Sequence, residues 1–547
     1  MLNKYFLFLF SVFFSSAFAQ QDTIPLKSEI HGNFQIDAQY YNPDSAIGAP
    51  PVPAKMGNNA FSNIIYTYGK FSAGVRYESY QNVLVGYPPN YKGTGIPYRY
   101  ATYKFDDMEI TVGNYYEQFG SGLIFRSYEE RGLGYDNVMD GIRIKYNLFK
   151  GIYLKGLIGK QRLYFSQGPG IVRGFDGEIQ FNETFKKLEE KKTKIILGGS
   201  FVSKFQERSP SDQLVYPENV GASAVRLNII RGNFNFGGEY AHKINDPAAD
   251  NGYIYKPGDA LLLMATYARK GFSFSLNAKR LDNMYFRSDR HASVTDLLIN
   301  YSPALTKQHT YSLLAFYPYA SQPNGEMSTQ GELNYKFKKE TKLGGKYGMD
   351  LNINFSGVNS IDTTQLNDLN GKRIGYKSDF FSVGKTVYFR DLVVELNRKF
   401  SKKIKATAVY AHQVFNIAVV QGKVGHPLIV SDITVTDITY KIKSDQALRF
   451  EIEHLATKEE KKNWAMALVE CNIGSKWFFA LQDQYNYGND TRSQRIHYMN
   501  FNVGYVKDAR RITLSYGKQR AGIFCVGGIC RNVPATNGFA ISITNSF

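Results

Sequence analysis

The sequence predicts an all-β protein: a single transmembrane, antiparallel, up-and-down β-barrel of about 26 strands, within a range of about 22 to 28. Three observations carry this. Apolar and polar residues alternate with period two almost from end to end, so each strand offers one face to hydrocarbon and one to water. Short turns alternate with long polar loops, as they do where short periplasmic turns and long extracellular loops join the strands of an outer-membrane barrel. The composition is that of strands and turns, with 15% aromatic residues, 40 Tyr and 39 Phe against 2 Trp, and 49 Gly against 18 Pro.

Residues 1–19 read as a secretory signal peptide. They carry one basic residue, Lys4, an apolar run from Tyr5 to Phe14, and Ala17 and Ala19 in the small-residue spacing of a cleavage site. The apolar run is shorter than the roughly 20 residues of a membrane-spanning helix. Residues 20–547 then read as one barrel domain, since no linker or change of composition interrupts them. No plug domain fits between Gln20 and the first strand near Ser28.

That first strand, "SEIHGNFQIDAQYY", sets Ile30, Phe34, Ile36 and Tyr40 against His31, Asn33, Gln35 and Asp37. The same two-faced pattern returns in "DGIRIKYNL", "FNFGGEYAHK", "KYGMDLNINFSG" and "HYMNFNVGY". Short turns are expected at Gly69–Lys70, Asp106–Asp107, Phe149 to Gly151, Arg231–Gly232, Arg269 to Gly271, Ser401 to Lys403, Lys443 to Asp445, Gly474 to Lys476 and Lys507 to Arg510. Slightly longer ones are expected near Glu183 to Thr193, Ser302 to Gln308 and Lys338 to Lys346. Between them lie the long loops, among them Asn42–Asn58, Asn82–Pro97, Gln118–Val138, Leu163–Arg173, Leu281–Ala292, Tyr317–Thr329 and Gly357–Asp391. Phe539, Ile541, Ile543 and Phe547 mark the apolar face of a last strand that closes on the first.

Just before that strand, Cys525 and Cys530 flank Val-Gly-Gly-Ile at a loop tip. Gly527–Gly528 permits a turn tight enough for a disulfide between them, and two free thiols are the alternative. Cys471 lines up with Ala465, Ala467 and Val469 on the lipid face, where it packs as a small hydrophobe.

Two passages, "GNYYEQFGSGLIFRSYEERGLGYDN" (113–137) and "CVGGICRNVPATNG" (525–538), resemble a family of large outer-membrane barrel proteins from Bacteroidota. The resemblance implies the barrel architecture for the whole mature chain and brings no activity with it.

The formal net charge is +18, of which Lys4 of the leader supplies one. Acids and bases balance along the lumen face, and much of the excess falls in short turns such as Lys186–Lys187, Lys191–Lys192, Lys338–Lys339 and Lys402–Lys403. Basicity there suits inner-leaflet phosphates and not nucleic acid. The partners implied are outer-membrane lipid and lipopolysaccharide, with protein partners in an outer-membrane complex as a further possibility.

No catalytic motif, metal-ligand spacing or cofactor signature is present. The eight histidines are scattered, and His242 and His412 stand alone in "GEYAH" and "KATAVYAHQ". The chain therefore reads as a non-enzyme, a channel or porin-like transport protein partly closed by inward-folded loops. The alternative is a non-conducting accessory or scaffold barrel in an assembly or secretion complex. A barrel this wide conducts unless it is filled. Two charged segments are the candidate pore constriction: Arg126, Glu129, Glu130, Arg131, Asp140 and Arg143 in and after the Gln118–Val138 loop, and Asp362, Asp368, Lys372 and Arg373 in the longest connection, Gly357–Asp391. The longest connection is the expected plug.

Overall fold

A computed structural model describes residues 27–210, 212, 214–369, 371–526 and 529–547. The leader and the side chains of Cys525 and Cys530 lie outside the described residues. The family of two-faced strands forms one closed sheet of 24 strands, each antiparallel to the next, from Ser28–Tyr41 to Thr536–Ser546. The last strand pairs with the first in the register Asn33↔Ser546 to Tyr41↔Gly538, so no edge remains. Phe547 and Gly32 exchange both backbone hydrogen bonds at 2.9 Å.

The two faces are sorted as the alternation requires. In Phe71–Tyr80, Val75 and Tyr77 are 44% and 48% exposed on the outside, while Arg76 and Glu78 are 3% and 1% exposed on the inside. In Gln446–Thr457, Phe450 and Ile452 point out, and Glu451, Glu453 and Leu455 point in. Ionised groups can face inward here because they find partners there. The outward side chains of these strands are mostly hydrocarbon.

At the end of the barrel that holds Ser28 and Phe547 the connections are short, with two-residue turns after Tyr68, Arg231, Arg269, Lys443 and Lys507. Gly232 takes φ +58° in one of them, a conformation a β-carbon would strain. The opposite end carries the long loops, of which residues 116–138 and 283–324 are the largest without barrel strands.

The count of 24 falls within the expected range of about 22 to 28; the strand pair expected around the turn Ser302–Gln308 does not form. Pro303, Pro318 and Pro323 withhold ladder N–H groups. Leu313, Leu314, Ala315, Phe316 and Tyr317 are apolar in succession, so neither face could be wetted. The long loop expected at Leu163–Arg173 is a two-residue turn, and the strand Ser166–Gln180 begins at once with a register break between Gln167 and Ile171. The segment Gly357–Asp391 is not a loop folded into the lumen. The strands Met349–Gln365 and Tyr376–Lys399 run through it as a long hairpin.

Candidate functional site: the filled lumen

Two loops from the long-loop end fold back into the barrel and meet there. The first, residues 116–138, follows the strand Met108–Tyr115. Glu117 anchors its start against the wall, 3.0 Å from Lys155, 3.1 Å from Lys145 and 3.5 Å from Arg143. Burial would raise the Glu117 carboxyl, but these cations outweigh it and hold it below its ordinary range. Phe119, Leu123, Ile124 and Phe125 are fully buried in an apolar cluster with inward wall residues Met139, Val172, Val202 and Ala241. At the tip, Ser121 donates its backbone N–H to Glu239 at 2.7 Å. Gly120 sits at φ +52°, and a β-carbon there would lie 2.6 Å from the Glu239 carboxylate. Only glycine lets the tip approach the wall so closely.

The second loop, residues 283–324, is laced to the first. Arg126 donates its backbone N–H to the Ile299 carbonyl at 2.8 Å, and Asn137 Nδ2 donates to the Leu298 carbonyl at 2.8 Å. The loop then crosses the lumen to the far wall. Lys307 reaches Glu395 at 3.2 Å, His309 reaches Asp391 at 2.8 Å, and the backbone N–H groups of Ser312 and Leu313 donate to Glu453 at 2.9 and 2.8 Å. Leu313, Leu314, Phe316 and Tyr317 pack on inward-facing Val393, Val409, Ala411, Phe415, Leu455 and Trp464. Phe316 lies 5.1 Å from the Trp464 ring, centroid to centroid.

The charged residues singled out in the sequence separate into three groups. Arg126 is sandwiched between Tyr128 at 4.2 Å and Tyr301 at 4.1 Å. Glu129 pairs with Arg76 at 2.9 Å and Arg131 at 3.0 Å, and Glu130 follows it in a two-residue ladder with Tyr135–Asp136. Asp136 lies 2.7 Å from both Arg76 and Arg162, and Arg162 also holds Glu78 at 2.5 Å. Arg143 faces inward to Glu109 at 2.6 Å. Glu129, Arg131, Asp136, Arg76, Arg162 and Glu78 form one paired network under the first loop, while Arg143 belongs with Glu109 and Glu117 at the root of that loop.

Asp140 belongs elsewhere. It shares the outer face with exposed Ile142 and pairs with Arg99 at 2.9 Å. Asp362, Asp368, Lys372 and Arg373 are exposed on the hairpin. Arg373 donates to the Gly252 carbonyl at 3.0 Å, and Lys372 lies over Tyr255, so the hairpin leans on the neighbouring loop 244–257 and not into the lumen. The second inward loop went unread in the sequence. Its signals are the three prolines and the unbroken apolar run already described.

The loops touch one arc of wall only lightly, Gln482 donating to Ser312 Oγ at 3.1 Å. There the inward residues are mostly neutral, Gln482, Gln484, Asn500, Asn502, Thr513 and Ser542, with Arg511 near the short turns. Between this arc and residues 301–321 lies a chamber of about 560 Å³. Tyr311, Tyr317, Tyr498, Gln482, Gln484 and Arg520 line it. Burial, then the Glu460 carboxylate that accepts from its hydroxyl at 2.8 Å, raises the Tyr317 phenol, which stays neutral.

A model of a family of unknown function (DUF6029) matches residues 1–547. No curated protein matches the chain. Among solved structures it is similar to the P pilus usher (PapC) translocation pore, at 9% identity and a TM-score of 0.43, covering 95% of this chain and 99% of that one. It is similar also to PapC in an E. coli P pilus tip assembly intermediate, PapC-PapD-PapK-PapG, at 9% identity and a TM-score of 0.48, covering 97% of this chain and 62% of that one. The siderophore receptor PirA from Pseudomonas aeruginosa matches at 9% identity and a TM-score of 0.40, covering 96% and 81%.

Proposed function

The chain belongs to the DUF6029 family over its whole length, and on that premise we propose that it is an outer-membrane transport barrel kept nearly shut by its own two inward loops. The exposed outer belt supports the membrane assignment. Side chains such as Ile142, Ile158, Phe236, Phe450, Phe501 and Leu514 are 42–52% exposed, and an apolar patch of this extent suits lipid. Outer-membrane lipid would cover the belt, with lipopolysaccharide at the long-loop end.

The observation that carries the transport reading is the division of the lumen. Apolar packing and ion pairs fix the two loops to one part of the wall, and a mostly neutral, amide-rich arc faces a chamber on the other side. A barrel serving only as a scaffold has no need of such an arc. The loops hold by side-chain and backbone contacts alone, so displacing residues 301–321 would widen the path without unzipping a strand. Single-channel recording in planar bilayers tests this. The intact protein should give small or rare currents, and a variant lacking residues 304–318 should give large stable ones. Silence from both, with the barrel correctly inserted, would overturn the reading and leave the non-conducting scaffold.

A further inference from the structure

Arg520 follows the strand Arg510–Gln519 and turns its guanidinium into the chamber, 3.8 Å from the centre of the Phe316 ring. A guanidinium carries five N–H donors and no acceptor. Among the described residues it makes no hydrogen bond or ion pair. Lys518 beside it is already held by Asp44 at 2.8 Å, and Glu460 is held by Tyr317. Burial lowers the Arg520 group to about 10. Across the chamber the side-chain oxygen of Gln484 is buried with no donor. A cation without a hydrogen-bond acceptor and a buried acceptor without a donor face one cavity, and the buried oxygen of Gln484 is costly to leave unmet.

We infer that the chamber is a binding site for a polar solute bearing a carboxylate, with the carboxylate on Arg520 and hydroxyl groups of the solute on Gln484 and its neighbours. The planar guanidinium can take a carboxylate through two parallel hydrogen bonds. Phe316 shields the pair from water on one side. Tyr311, Tyr498, Gln482 and Asn500 offer hydroxyls and amides to the rest of the molecule, a lining suited to an acidic sugar. This inference rests on the transport reading for its meaning, but its test needs no transport.

The protein carries its own reporter. Trp464 touches Phe316 and Tyr498, at 5.1 and 5.8 Å, and the other tryptophan, Trp477, lies at the short-turn end. Tryptophan fluorescence of the detergent-purified protein would be titrated with galacturonate against galactose, and with glutarate against glutaramide. A saturable change is expected with the acids and not with their neutral counterparts. It should weaken at least tenfold in Arg520→Gln, persist in Arg520→Lys and vanish in Trp464→Phe, with heat modifiability confirming the barrel in each. Equal responses to acid and neutral probes, no response to either acid, or an unchanged response in Arg520→Gln would overturn the inference. Acid binding with silence in bilayers would instead sink the transport reading alone.

Discussion

Glu453 on the barrel wall accepts the backbone N–H of Leu313 at 2.8 Å, across 140 residues of sequence. With Ser312 donating to the same carboxyl group, one wall residue holds the inner turn of the second loop by two hydrogen bonds. Such bonds are worth about 0.5–1.5 kcal/mol each. Glu453→Ala should therefore loosen that loop and raise uptake of large dyes or antibiotics, with the amount of barrel in the membrane unchanged. Unaltered uptake at normal protein level would mean the loop is held elsewhere.

Arg162 joins Glu78 and Asp136, all three nearly inaccessible. Removing it leaves two buried carboxylates short of a cation, at a cost of about 3–5 kcal/mol. Arg162→Ala should lower the temperature of heat modification and expose residues 126–137 to protease. Lys150→Ala breaks only the exposed pair with Glu189 and should cost less than about 1 kcal/mol. Similar effects of the two substitutions would contradict this ranking.

Acid should act first on the root of the first loop. Glu117 lies below its ordinary 4.5 in the fold. A carboxyl depressed by folding contributes stability that is present above the unfolded value and is lost as pH falls through the folded one. Proteolysis of the 116–138 loop should thus rise as pH drops below about 4.5, and Glu117→Gln should abolish the pH dependence at this site.

The backbones of Cys525 and Cys530 stand directly opposite each other in a short hairpin, Gly522–Val526 with Ile529–Val533. Alkylation before and after reduction should find these two thiols protected together and released together, with Cys471, a free cysteine, unlinked throughout. The closed loop is short, so Cys525→Ser should cost about 2 kcal/mol or less and leave the barrel inserted. Free alkylation of either thiol without reductant would refute the pairing.

Shortening the hairpin tip by deleting residues 366–375 should leave permeability as it is, because its charged residues rest on a neighbouring loop outside the lumen. A rise in dye uptake as large as that from loosening the second loop would contradict the placement.

The wall was legible in the sequence because a strand between hydrocarbon and water must alternate, and Val75–Arg76–Tyr77–Glu78 does so whatever surrounds it. The plug was legible only in part. Around Glu129 and Arg131 the density of charge marks a segment needing partners, but nothing local shows that the partners are Arg76 and, through Asp136, Arg162. The run Leu313–Tyr317 imitates a short buried strand, and only the lumen it fills shows otherwise. Asp362 and Lys372 were misplaced by the opposite error: loop length was taken for freedom to fold inward, whereas Met349–Gln365 and Tyr376–Lys399 commit those residues to each other by backbone pairing.

The bonds between Gly32 and Phe547 also order events in time. Every other strand can find a neighbour already made, but Ser28–Tyr41 keeps one side unpaired until Thr536–Ser546 arrives. Throughout assembly the chain carries an open edge that invites foreign strands, and the contact that removes it has the greatest sequence separation in the molecule and so the slowest search. Assembly of this barrel is gated by its last dozen residues, and a chain halted a dozen codons early would be left holding both edges open.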